Sequence, residues 1–198
     1  MVAAVVLAAG DSTRMGRPKA LLAAPGGQPF VVKIVRAFSG AGVEKVAIVT
    51  GAAHDSIVGA VGQAALPPAV WVVRNPDPGR GQLSSLWTGM DAAVGADTEA
   101  LLMTLVDVPM LTAATVEAVV DAWRRTKAPI VRPAIGPIHG HPVLFDRSLF
   151  DELRQAPLEG GAKTVVRRHE ARIVNIVPPD DGCLRDIDTP EDYASLLM

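Results

Sequence analysis

The chain has 198 residues, 49% hydrophobic and 20% charged, a composition that supports one sizeable core and is not that of a disordered chain. Its 19 basic and 21 acidic residues leave a net charge of −2, with only 4% aromatics, which excludes both the basic surface of a general nucleic-acid binder and the stacking platform of a single-strand binder. The lone cysteine, Cys183, builds neither a disulfide framework nor a thiol zinc site and fits a reducing, cytoplasmic setting. The N-terminal apolar run is too short to span a bilayer and lacks a basic lead-in, so no membrane partner is expected.

Val2–Leu7 is an unbroken apolar run and predicts a short buried strand. Phe30–Ala41 carries Val31, Ile34, Val35 and Phe38 at helical spacing and is closed by Gly40 and Gly42. Lys45–Thr50 predicts a second buried strand, His54–Gln63 a short helix broken by Pro67 and Pro68, and Val70–Arg74 a third strand. Asn75–Gln82 (NPDPGRGQ) is a turn-rich loop, and Leu83–Val94 a helix opening with Ser84 and Ser85. Ala100–Val106 is a fourth strand, followed at once by Asp107-Val108-Pro109; Thr112–Arg125 is an amphipathic helix capped by Thr112, and Pro129–Arg132 a fifth strand. The pattern then changes. Gly136–Phe145 reads as a hairpin or antiparallel excursion, Arg147–Gln155 and Ala162–His169 as short helices around Gly160-Gly161, and Arg172–Val177 as a further strand. Pro190–Leu197 is a closing helix with Thr189 as its cap and Glu191 and Asp192 in its first turn. This alternation predicts a single-domain, three-layer α/β/α sandwich with a mostly parallel sheet and an antiparallel excursion in its C-terminal part.

The stretch Leu7–Leu22, LAAGDSTRMGRPKALL, carries the first chemistry. A strand that feeds a loop at its carboxyl end is where open α/β sheets bind ligands. Ala8, Ala9 and Gly10 let the backbone come close to a ligand and let its N–H groups converge on an anion. Ser12 adds a small hydroxyl, Arg14 a planar fork for phosphate oxygens and Lys19 a compact point charge. LAAG alone is equally a plain turn; the R-M-G-x-P-K that follows turns the stretch into a triphosphate cradle. It is neither a Walker loop nor a G-x-G-x-x-G fingerprint.

Asp107, directly after the fourth strand and on the same sheet edge, is either a turn starter or a ligand for a hard cation such as Mg²⁺, which takes one or two carboxylates and fills its octahedron with phosphates and waters. Asp186 and Asp188 project the same way from an extended segment. They repel one another unless a cation lies between them or they cap something, and Asp188 has the helix after it to cap. Which of the two completes a metal site stays open. Asn75, Ser84 and Ser85 offer small polar groups that suit a pyrimidine edge. His141 is either a structural residue of the hairpin or an acceptor contact, and His139 is a weaker candidate. The Arg124-Arg125 and Arg167-Arg168 pairs read as solvated helix faces, with Arg167 or Arg168 in reach of an anionic acceptor.

Leu7–Leu22 resembles the signature of nucleotidyltransferases with a GT-A-like, Rossmann-type fold, and within these most resembles the molybdenum cofactor cytidylyltransferases. The resemblance runs along nearly the whole chain, through Asp107, the Gly140–Phe145 segment GHPVLF and the Asp186–Asp192 cluster DIDTPED. It implies a Rossmann-like nucleotide-binding part over about 1–110 and an acceptor-binding part over about 111–198. The implied reaction is transfer of CMP from CTP to a phosphorylated pterin, molybdenum-bound molybdopterin, with release of pyrophosphate and with Mg²⁺ as cofactor. Arg14 would then hold the outer phosphates, Lys19 the reacting one and Asp107 the metal, while Gly140 and His141 face the acceptor. Ala9 leans towards CTP, since guanylyl-transferring members usually read LAGG. Val108 stands where Gln is common, and Gln82 where Met is. The implied partners beyond the substrates are a client molybdoenzyme or its chaperone. Two rivals stand beside this reading: a GTP-dependent or sugar-phosphate nucleotidyltransferase, and a non-catalytic cofactor carrier.

Overall fold

The computed structural model describes residues 1–66 and 69–198; the predicted break at Pro67 and Pro68 lies outside them. Among the described residues eight strands form one sheet: β1 (Val2–Ala8), β2 (Lys45–Thr50), β3 (Val70–Arg74), β4 (Ala100–Leu105), β5 (Ile130–Ile135), β6 (Ile138–His139), β7 (Val143–Asp146) and β8 (Ile173–Ile176). The order is β3-β2-β1-β4-β7-β5-β6, with β8 also paired to β5. β1 pairs in parallel with β2 and β4, and β2 with β3. The predicted excursion is real: β7 inserts antiparallel between β4 and β5, while β8 returns parallel to β5.

The α-helices among the described residues that cover the sheet are α1 (Phe30–Gly40), α2 (His54–Gln63), α3 (Gln82–Ala93), α4 (Ala113–Thr126), α5 (Phe150–Gln155), α6 (Ala162–Arg168) and α7 (Pro190–Leu197). Alternate residues of β1 enter opposite cores. Ala4, Val6 and Ala8 join the core under α1, α2 and α4, and Ala3, Val5 and Leu7 the core under α3, α5 and α6. A strand buried on both faces must be apolar throughout, which is why Val2–Ala8 reads as a run rather than an alternation. Thr112 accepts the Thr115 amide as the cap of α4, and Thr189 with Asp192 forms a reciprocal capping box on α7. Among the described residues no helix is long and apolar enough to cross a membrane.

Two features of this framework position the site. The chain steps outward from β1 to β2 to β3 and then returns to the other side of β1 as β4, so the loops after β1 and β4 diverge at a topological switch point. The Val106 amide donates to the Leu7 carbonyl at 3.0 Å, which holds the two loops side by side. α3 is pressed onto the sheet because Gly89 lacks a side chain: a Cβ there would stand 2.4 Å from Val5 Cγ1 and 2.9 Å from Val49 Cγ2. Both neighbours are β-branched and stiff. Gly89→Ala is therefore expected to destabilise the protein by about 1–3 kcal/mol despite its better helix propensity, read as a lower midpoint in thermal or urea unfolding.

Candidate active site

The loop after β1 is shaped by its own backbone. Ser12 adopts the left-handed region at φ 50°, a short 3₁₀ turn covers Thr13–Met15, and Gly16 at φ 64° ends it. The Lys19 amide then donates to Ser12 Oγ at 3.1 Å, so the predicted small hydroxyl closes the loop on itself. Gly51, just after β2, was not singled out in the sequence; a Cβ there would sit 2.6 Å from the Ala9 carbonyl oxygen, so Gly51 sets how far Ala9 can drop against the sheet.

Lys19 is the pivot. Its Nζ lies 3.4 Å from Asp107 Oδ2 and 2.5 Å from Asp188 Oδ1, and its side chain is only 12% exposed. A buried ammonium costs several kcal/mol unless paired, and here two carboxylates neutralise it. Arg14 is 69% exposed and stands 3.8 Å from Asp188 Oδ2, a solvated cation free to meet an incoming anion. The acidic segment is fixed by backbone bonds: the Ile187 amide donates to the Asp107 carbonyl at 2.8 Å, and the Asp188 and Thr189 amides donate to Asp192 Oδ2 at 3.1 and 2.8 Å.

These pairings divide the three carboxylates. Asp188 faces Lys19 and Arg14. Asp107 Oδ2 accepts from Lys19 Nζ, while its Oδ1 is buried without a hydrogen-bond partner among the described residues. Partial burial, and next the Asp107 charge, push the Asp186 carboxyl above its usual range. An orphaned carboxylate oxygen beside a second acid that resists ionisation is an arrangement a divalent cation relieves. Among the described residues no group of three or more His, Cys, Asp or Glu side chains is arranged to hold a metal ion; Asp188 is taken up by Lys19 and Arg14, which leaves Asp107 and Asp186 as the expected pair. Asp107 and Asp186 fit a cation that takes its remaining ligands from phosphate and water.

Every other predicted nucleotide or metal residue except Asn75 and Ser84 lines one cavity of about 460 Å³ with Lys19. Asn75 and Ser84 are buried behind it. Asn75 Nδ2 donates to Ser84 Oγ at 2.9 Å and Ser85 Oγ at 3.0 Å, and Ser84 Oγ donates to the Gly81 carbonyl at 2.8 Å. They lock the turn that opens α3, and only Ser85 reaches the cavity. Gly140 and His141 line a second cavity of about 740 Å³, which shares Leu7, Gly81, Gln82, Leu105 and Asp186 with the first. Gly140 is close-packed, since a Cβ there would meet the Cys183 carbonyl at 2.4 Å. Burial holds the His141 imidazole below its usual pKa. Its Nδ1 faces the Met103 carbonyl at 3.4 Å; a carbonyl only accepts, so Nδ1 carries the proton and Nε2 is left as an acceptor. Gln82, at the first position of α3 beside Gly81 at φ 94°, borders both cavities; its one sequence signal is that it replaces the usual Met.

Residues 4–173 match the family of MobA-like NTP transferase domains. A Mycobacterium ulcerans protein named probable molybdenum cofactor guanylyltransferase is 30% identical over 191 residues, covering 96% of this chain and 90% of its own. A nucleotidyl transferase from Methanothermobacter superposes with a TM-score of 0.78 at 25% identity, covering 99% and 95% of the two chains. A Mycobacterium tuberculosis protein crystallised in complex with manganese superposes at 0.70 and 27% identity, covering 99% and 97%.

Two outcomes follow from the carboxylate arrangement. Mg²⁺ or Mn²⁺ is expected to raise the thermal midpoint of the wild type, and Asp107→Asn to remove most of that shift, as read by calorimetry with and without the ion. With chelator present the sign reverses for the other acid: ionising Asp186 beside Asp107 disfavours the folded state, so stability lost to this group grows as pH rises through its raised pKa. Asp186→Asn is expected to melt higher than wild type at neutral pH and to approach it in acid.

Proposed function

The chain belongs to the MobA-like NTP transferase family, and from that premise we propose that it transfers the nucleoside monophosphate of an NTP to a phosphorylated, molybdopterin-type acceptor and releases pyrophosphate. The observation that carries the reading is Lys19 lying between Asp107 and Asp188 at the mouth of the glycine loop. Three segments distant in sequence bring one ammonium and three acids to a cavity whose wall is loop backbone. Pure binding has no need of that convergence.

In this reading the backbone of Ala8–Ser12 receives the triphosphate. Arg14, exposed and only loosely paired, neutralises the outer phosphates, and Lys19 leans from its carboxylates towards the reacting phosphate. A phosphate oxygen of the acceptor attacks the α-phosphorus in line, the bond to the β-phosphate oxygen breaks, and pyrophosphate leaves. The acceptor phosphate is already ionised, so no side chain has to remove a proton, and neutral His141 serves as a hydrogen-bond acceptor rather than a base. Asp107 and Asp186 would hold Mg²⁺, which supplies charge neutralisation on the phosphates. Positioning and charge carry such reactions with little covalent help.

GTP is the donor the relatives support: proteins named probable molybdenum cofactor guanylyltransferase match along nearly the whole chain. This replaces the CTP expectation as the leading reading, because similarity over 96% of the chain outweighs one methyl group at Ala9. CTP stands second, favoured by that residue alone. Pyrophosphate release with molybdopterin and each of GTP, CTP, UTP and ATP separates them; GTP is expected to give the largest kcat/KM, and a preference for CTP would restore the second reading. Lys19→Met is expected to lower kcat by roughly a hundredfold to a thousandfold. Release of no pyrophosphate with any donor, together with tight acceptor binding, would make the protein a carrier.

A further inference from the structure

The glycine loop carries three cations, and they do not all face the same way. Arg14 and Lys19 line the first cavity, and Arg17 does not. Arg17 is exposed and makes no ion pair among the described residues. Its guanidinium carbon instead lies 5.4 Å from the centre of the Tyr193 ring, on α7. A cation over an aromatic face is attracted by the ring quadrupole.

The loop is fastened to the fold by little else. Among the described residues the backbone hydrogen bonds of residues 10–18 stay local: the Met15 amide donates to the Ser12 carbonyl at 2.9 Å and the Gly16 amide to the Thr13 carbonyl at 3.3 Å. Met15 packs against the core. The loop's polar ties to the rest of the fold are Arg14 and Lys19 to Asp188, Lys19 to Asp107, and Arg17 to Tyr193. All but the Asp107 tie lead to one short stretch, Asp188 to Tyr193. Tyr193 also reaches the far side of Lys19: its hydroxyl donates to the Ala23 carbonyl at 3.0 Å, and its ring meets that of buried Phe30 edge-on at 5.9 Å. One side chain thus holds the chain at residue 17 and at residue 23. α7 has no fully buried residue, yet its first turn is closed by the Thr189–Asp192 capping box. Asp192 Oδ2 also accepts the Asp188 amide, so Tyr193 and Asp188 are set relative to one another.

We propose that Tyr193 is a positioning residue for the NTP: it clamps the glycine loop at Arg17 and Ala23 and so sets where Arg14 and Lys19 meet the triphosphate. The proposal rests on the transferase reading above. Tyr193 lines neither cavity. It acts through Arg17, and Arg17 acts by staying against the ring rather than by reaching the phosphates. With the clamp in place the loop meets the NTP already ordered, and binding costs less conformational freedom. Without it, ordering the loop is charged against NTP affinity. The effect is confined to the donor, because no residue of the 10–23 stretch or of α7 lines the second cavity.

The test is calorimetric titration of the full chain with GTP and separately with CTP, each with Mg²⁺, for wild type, Arg17→Gln, Tyr193→Leu and the double variant. Arg17→Gln is expected to weaken NTP binding roughly twofold to fivefold, and Tyr193→Leu roughly fivefold to fiftyfold, since it loses the hydroxyl bond as well as the ring. Arg17→Lys and Tyr193→Phe, which keep the cation and the ring, should each recover part of the loss. The double variant is expected to bind no more weakly than Tyr193→Leu alone, because Arg17 then has nothing to rest on. In turnover the KM for NTP rises more than kcat falls, and the acceptor KM is unchanged. Losses that multiply in the double variant would make Arg17 a direct partner of the phosphates and overturn the clamp. So would NTP binding by either single variant indistinguishable from wild type, and both results leave the transferase reading standing. Failure of wild type to bind either nucleotide would bring down both. If Tyr193→Leu does not fold, Tyr193→Met takes its place in the cycle.

Discussion

The ammonium of Lys19 between the carboxylates of Asp107 and Asp188 is the interaction on which the site depends. It joins the loop after β1, the loop after β4 and the segment before α7. Each has its own anchor: Ser12 beneath Lys19, the Leu7–Val106 backbone bond beside Asp107, and the Asp192 cap under Asp188. A buried lysine with one acid would be a costly ornament; with two it becomes a charge reservoir. In the proposed transfer, an arriving polyanion and its cation would redistribute this ion pair.

The sheet explains why these groups can meet. β1 and β4 are neighbours whose following loops part in opposite directions, and the gap between them is the first cavity. β7, running against its neighbours, gives the second cavity a different character. A parallel strand offers its exit to this sheet edge, and β7 offers its entrance, so Gly140 and His141 precede a strand where Asp107 follows one. The two cavities therefore share a sheet edge and touch at Asp186, Gly81 and Gln82.

Much of this was legible in the residues. Val2–Leu7 and Ala100–Val106 had to be buried strands because nothing polar interrupts them, and Arg14, Lys19 and Asp107 are charges placed where such strands end. Other parts were hidden for physical reasons. Asn75 and Ser84 looked like base contacts because small polar groups near a glycine turn suit either role; only burial shows that they satisfy one another. Asp186 and Asp188 are equivalent by spacing, and the choice between them lies in which one Lys19 reaches across the fold. Gln82 gave a weak signal, a departure from the usual Met, because the cavities it borders are closed by elements far away in sequence. The base preference was the least legible, since Ala9 contributes a methyl group and a backbone rather than a reading side chain.

The amide of Ile187 closing on the Asp107 carbonyl has a consequence for the order in which the protein comes into being. A nascent chain that has emerged only as far as α4 already holds the glycine loop, Lys19 and Asp107, yet lacks Asp188, the second acid beside the ammonium, and the strand β7 that borders the second cavity. Residues 107 and 187 are far apart in sequence, so this backbone bond forms, and the second carboxylate comes to lie beside Lys19, only after the C-terminal segment has docked.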